Sequence, residues 1–190
     1  MSHALWYASR ATGLVCLLML SVTVVLGLVG AGRFASTAWP RFVLAALHRN
    51  VSLVILVFLA VHISTAIIDP YAGIGWISAV LPFTSAYQPF WLGLGTVAFD
   101  LLLALVVTSL LRSRIGLRTW RAVHWAAYAC WPAAVVHGIG IGGVDRMQPW
   151  VLALDAVCVL GVLAALGWRL SATHPDTEAR NAAVSTSGRR

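Results

Sequence analysis

Five long apolar segments dominate this sequence and leave few folds open to it. They run roughly Gly13–Gly32, Phe42–Ile68, Phe90–Leu111, Trp120–Ile141 and Trp150–Leu170, each about the 20 residues needed to cross a bilayer as a helix. With 60% hydrophobic and 10% charged residues, the chain has too little polar surface to cover a soluble core. The expected fold class is therefore an all-α membrane protein, a bundle of about five transmembrane helices. Trp39, Trp91, Trp120, Trp150 and Trp168 fall near segment ends, where an aromatic belt sits at the membrane interface. The first segment is longer than the apolar core of a signal peptide and has no clear cleavage site before Arg33, so it counts as a span.

The formal charge of +7 invites a nucleic-acid reading, which its distribution argues against. All thirteen basic residues are arginine, and most lie in short connections or in the tail; no basic stripe is interleaved with aromatics. Counted by side, Arg10 and Arg146 flank one face of the five-span layout. Arg33, Arg41, Arg49, Arg112, Arg114, Arg118, Arg121 and Arg169 flank the other. The positive-inside rule makes the second face cytoplasmic, with the N-terminus outside and the C-terminus inside. The 69–89 connection, rich in Pro, Gly and apolar residues, is expected to lie along the outer interface, and residues 171–190 to form a disordered cytoplasmic tail.

Histidine is uncommon in apolar spans and marks a functional candidate there. His48 and His62 lie fourteen residues apart on the second span, His124 and His137 thirteen apart on the fourth; His3 and His174 are terminal. At about 1.5 Å per residue, the separations are about 21 and about 20 Å. Spans two and four run in the same direction, so His48 matches His124 in depth near the cytoplasmic side, and His62 matches His137 near the outer side. Two pairs this far apart cannot converge on one zinc ion. Each pair can grip a porphyrin iron from both faces, which points to b-type haem between the second and fourth helices. At about 100° per residue, His48 and His62 share a face, about 40° apart, whereas His124 and His137 are about 140° apart on an ideal helix. Pro132 lies between the latter two and is the expected place for a kink.

The doubled pattern HRNVSLVILVFLAVH (His48–His62) and HWAAYACWPAAVVH (His124–His137) resembles the ferric reductase-like transmembrane domain, over roughly Trp6 to Leu170. That superfamily includes NADPH oxidases, ferric reductases and the haem subunit of bacterial methionine sulfoxide reductase systems. The resemblance implies a cytochrome b domain over residues 1–170 with two b haems, the inner on His48 and His124 and the outer on His62 and His137, passing electrons across the membrane. Larger members have an additional N-terminal span. The flavin and nicotinamide domains of the oxidases and ferric reductases have no counterpart in this sequence, and no GxGxxG-like loop occurs. The implied partners are membrane lipid, a separate electron donor (a flavoprotein reductase, with its flavin, or a quinol) and an outer-side acceptor.

Other residues carry weaker readings. Arg49, Arg118 and Arg121 lie close in sequence to the inner ligands, and Arg10 and Arg146 are the outer cations, so each is a candidate for a haem propionate; topology alone already accounts for the inner ones. Among these Arg10, expected just before the first span, stands out, and a structural ion pair with Asp155 is a further expectation. Asp100 has no obvious partner. Gly13, Gly27, Gly30, Gly93 and Gly95 allow close approach, a weak signal in membrane helices. Trp125, Tyr128 and Trp131 either line a haem slot or face lipid. Cys16, Cys130 and Cys158 show no CxxC spacing and read as small buried apolar residues. The competing functions are a quinol-linked cytochrome of the b561 type and a non-redox transporter or assembly subunit with intramembrane histidine relays.

Overall fold

In the computed structural model, which describes residues 4–31 and 39–171, every regular element is helical. Arg33, His3, His174 and the 172–190 tail lie outside the described residues. The long helices are α1 (Ala4–Ala31), α2 (Arg41–Ile68), α3 (Pro89–Leu110) and α7 (Pro149–Ser171). All four are long and apolar enough to span a membrane. Between α3 and α7 come α4 (Arg112–Ile115), α5 (Leu117–His124) and α6 (Ala127–Ile141).

Helix boundaries follow the proline and glycine positions. Pro40 precedes α2, and Pro89 and Pro149 open α3 and α7, where a fixed φ suits the first turn and the missing N–H costs nothing. At the far end of α2, Asp69 Oδ1 accepts from the Tyr71 N–H at 3.0 Å and Pro70 blocks continuation. Gly116, at φ 80°, takes a backbone conformation that side chains disfavour and separates α4 from α5.

Two expectations need correction. Helix α1 begins at Ala4, well before Gly13, so Arg10 lies within the helix rather than ahead of it. The fourth span, expected as one helix kinked at Pro132, is instead broken at Trp125 and Ala126. Around the break the backbone bonds tighten to i→i+3: Ala126 N to Val123 O (2.9 Å), Tyr128 N to Trp125 O (3.1 Å) and Ala129 N to Ala126 O (3.0 Å). Pro132 stays inside continuous α6. That helix has only 15 residues, about 22 Å of rise, so among the described residues four helices, not the five expected, are each long and apolar enough to cross a membrane.

Helix α1 packs along α2, α3 along α6, and α7 against α1. The arrangement is two helical hairpins of like design, α1–α2 and α3–α6, a repeat that the sequence hid. Their shared core is Leu20, Ile55, Leu102, Leu105, Val106 and Cys130. Ile55, 1% exposed, lies seven residues from both His48 and His62, and Leu20 seven from both Gly13 and Gly27, so this core fills the layer midway between the histidine pairs. Trp131 packs against all three buried clusters, and its Nε1–H donates to buried Ser21 Oγ at 2.9 Å. All three cysteines are free and buried.

Apolar side chains such as Val57, Val157, Leu160 and Leu163 are exposed on the outside of the bundle, as lipid contact requires. The 69–89 connection also exposes Tyr71, Trp76, Val80 and Leu81. It is tied to α3 where Thr96 Oγ1 donates to the Ser78 carbonyl at 2.7 Å.

Candidate functional site: two imidazole pairs

The four histidines come together as two pairs. His48 and His124 have ring centroids 6.2 Å apart, with planes at 56°. His62 and His137 are 6.4 Å apart, with planes at 83°. Pairing is therefore by depth. The His48–His124 pair lies toward the end that carries Arg41, Arg49, Arg112, Arg114, Arg118, Arg121 and Arg169, and the other pair toward the opposite end. The break at Trp125–Ala126 closes part of the azimuth gap, since a 3₁₀ turn advances about 120° per residue instead of about 100° and its few residues recover roughly 40–60°. It also interrupts the single straight helix that the angle of about 140° assumes.

Three of the rings are oriented by the same device. His62 Nδ1 donates to the Ser9 carbonyl (2.7 Å), His48 Nδ1 to the Thr23 carbonyl (3.0 Å) and His137 Nδ1 to the Trp91 carbonyl (2.8 Å). A carbonyl only accepts, so each of these nitrogens carries the proton and Nε2 presents its lone pair. Four residues beyond each acceptor stands a glycine. A Cβ on Gly13 would lie 2.9 Å from His62 Cε1, one on Gly95 2.6 Å from His137 Cε1, and one on Gly27 3.4 Å from His48 Cε1. Glycine is common in membrane helices, so these positions carry little signal in the sequence. The fourteen-residue spacing of Gly13 and Gly27, equal to that of His62 and His48, was the clue available.

A cavity of about 440 Å³ opens beside the outer pair, lined by His62, His137, Gly13 and Gly95 together with mostly apolar side chains. Its size is that of a small-molecule or cofactor pocket. Arg10, Asp145, Arg146 and Asp155 also line it. Arg10 does not pair with Asp155. Its guanidinium meets the Asp145 carboxylate at 3.2 Å, donates to the Gly142 carbonyl at 2.5 Å and covers the Trp6 ring at 4.2 Å. Arg146 donates to the Ile139 carbonyl at 3.1 Å. Both cations thus cap the C-terminal end of α6, where unpaired carbonyls and the helix dipole attract positive charge.

At the Arg-rich end, Arg49 and Arg121 are exposed, one residue after His48 and three before His124. Trp120, expected in the interfacial belt, stacks on His124 with centroids 4.8 Å apart. Trp125 and Tyr128 face outward, and the Tyr128 hydroxyl accepts from Arg169; Trp131 faces the core. Among the described residues no three His, Cys, Asp or Glu side chains converge as a metal site would need. Each imidazole pair offers two candidate ligands and, among the described residues, no third.

Residues 12–135 match the family described as ferric reductase like transmembrane component. The chain belongs to this family. The match takes in His48, His62 and His124 and ends two residues short of His137. No curated relative and no solved structure is detectably similar. For a ferric reductase-like component, a site built on imidazole pairs inside the membrane directs attention to electron transfer rather than to hydrolysis or transport.

Proposed function

We propose that this ferric reductase-like chain is a b-type cytochrome that relays electrons across the membrane, with one haem on His48 and His124 and a second on His62 and His137. The observation that carries the reading is the spacing within the pairs. An imidazole nitrogen bonds a metal at about 2.0–2.1 Å and stands about 1.1 Å from its own ring centroid. Two imidazoles opposed across one iron then have centroids about 6.3 Å apart, against the 6.2 and 6.4 Å found here.

When bound, haem supplies the one-electron chemistry. The chain's residues supply the rest. The carbonyls of Ser9, Thr23 and Trp91 hold three rings in the Nδ1–H tautomer and raise the basicity of Nε2. Gly13, Gly27 and Gly95 let those rings lie close against α1 and α3. The Leu20–Ile55–Leu102 layer keeps water from the region between the sites. His62 and His137 would hold the outer group from two sides, and one-electron transfer to an outer acceptor is the chemistry it would supply. Arg49 and Arg121, exposed at one end, are the cations nearest in sequence to the inner pair and would meet its propionates. At the other end Arg10 lines the cavity and would have to give up its Asp145 partner to do the same.

By the positive-inside rule the Arg-rich end faces the cytoplasm of a multi-pass cell-membrane protein. Electrons then enter there from a separate donor, a flavoprotein reductase or a quinol, and leave at the outer face. Sealed vesicles with the Arg-rich side inward test this. An internal NADPH–flavin reductase pair, or a membrane quinol, should reduce the protein's visible absorption. Impermeant external ferricyanide should then reoxidise it. Reduction without external reoxidation would sink the transmembrane relay.

A further inference from the structure

His124 differs from the other three histidines. Its Nδ1 is buried and has no hydrogen-bond partner among the described residues, whereas each of the others donates to a carbonyl. On α1 the step from the glycine beside His62 to the glycine beside His48 is fourteen residues. The same step along α3 from Gly95, beside His137, reaches Ser109 rather than a glycine. Ser109 does something else: its Oγ accepts from Trp120 Nε1–H at 3.1 Å. The Arg112 guanidinium covers the same indole at 5.2 Å. Held from both directions, the indole lies against the His124 ring with planes 30° apart.

We propose that Trp120 is the positioning residue of the inner site, orienting His124 by stacking where backbone carbonyls orient the other three imidazoles. The proposal rests on the haem reading above. Stacking fixes the plane of the ring but neither sets its tautomer nor raises the basicity of the opposite nitrogen, as a bond to Nδ1–H does. His124 is therefore the axial ligand released most readily. Carbon monoxide, a neutral ligand for ferrous iron, can take its place: the iron–Nε2 bond breaks, an iron–carbon bond forms, the nitrogen keeps its lone pair, and no electron is transferred.

The test uses the full-length purified protein, reduced with dithionite and exposed to carbon monoxide, with optical spectra recorded for wild type, Trp120→Leu, Trp120→Phe and Ser109→Ala. His62→Ala, which retains only the inner haem, identifies the inner signal. The expected result is carbon monoxide binding confined to the inner haem, rising severalfold in Trp120→Leu and to an intermediate level in both Ser109→Ala and Trp120→Phe, since each keeps an aromatic face against His124 but loses the bond between Ser109 and the indole. Equal reaction at both haems would overturn the inference while leaving the haem reading intact. So would wild-type binding in both Trp120→Leu and Ser109→Ala. If Trp120→Leu does not fold, Ser109→Ala decides alone, because Ser109 contacts the indole and not the ligand. A wild-type protein without haem refutes the reading beneath the inference, and with it the inference.

Discussion

Gly13 leaves the space that the His62 imidazole fills: a Cβ at residue 13 would stand 2.9 Å from His62 Cε1, closer than packed atoms tolerate. The same relation holds between Gly95 and His137, at 2.6 Å, and in relaxed form between Gly27 and His48, at 3.4 Å. Overpacking of this kind costs about 1–3 kcal/mol, and here the strain falls on a ring whose position is its function. Gly95→Ala and Gly13→Ala should weaken or abolish the outer haem while sparing the inner one. Gly27→Ala should leave both in place. Haem content per chain of the three variants checks this, and a Gly95→Ala protein with full outer occupancy would contradict it.

Arg10 ties α1 to the end of α6, four to five residues beyond His137. Its ion pair with Asp145 is partly exposed and is worth about 0–1 kcal/mol, whereas its bond to the Gly142 carbonyl and its stack on Trp6 are independent of that pair. Thermal unfolding in detergent should therefore rank Arg10→Ala below Asp145→Ala, with Asp155→Ala nearest to wild type on this account. If Asp155→Ala lowers the midpoint as far as Arg10→Ala does, the assigned partner is wrong.

Ser21 and Trp131 share a hydrogen bond in the interior, where Ser21 is 4% exposed. Ser21→Ala removes the acceptor and leaves an indole N–H unpaired, at a cost of about 1–3 kcal/mol. The unfolding midpoint of this variant should fall, with both visible absorption bands retained. An unchanged midpoint would mean that the Trp131 N–H finds another acceptor.

Much of this was legible in the sequence. Segment length and apolarity announced the four long helices, while the expected fourth span is broken in two. The pairing of His48 with His124 and of His62 with His137 followed from counting residues along co-directional segments. Rotation about the fourth span was not legible. It depends on where the helix breaks, and the 3₁₀ turn at Trp125–Ala126 carries no Pro or Gly, whereas Pro132 drew attention to the wrong place. Ion-pair partners were equally hidden. Arg10 and Asp155 match in depth along their helices, yet Asp145 sits on the short turn after α6 that folds back to meet the guanidinium. Trp120 was ambiguous for a different reason, since a tryptophan at a span end satisfies the interfacial belt whether or not it also touches a buried ring.

The most direct test of the central claim is the haem stoichiometry of the purified chain and its single-histidine variants, by pyridine haemochrome and reduced-minus-oxidised spectra. The account predicts two b haems per chain in the wild type. His48→Ala and His124→Ala should each lose the same one, and His62→Ala and His137→Ala each the other. A colourless wild-type protein would contradict the account, as would His48→Ala and His62→Ala losing the same haem.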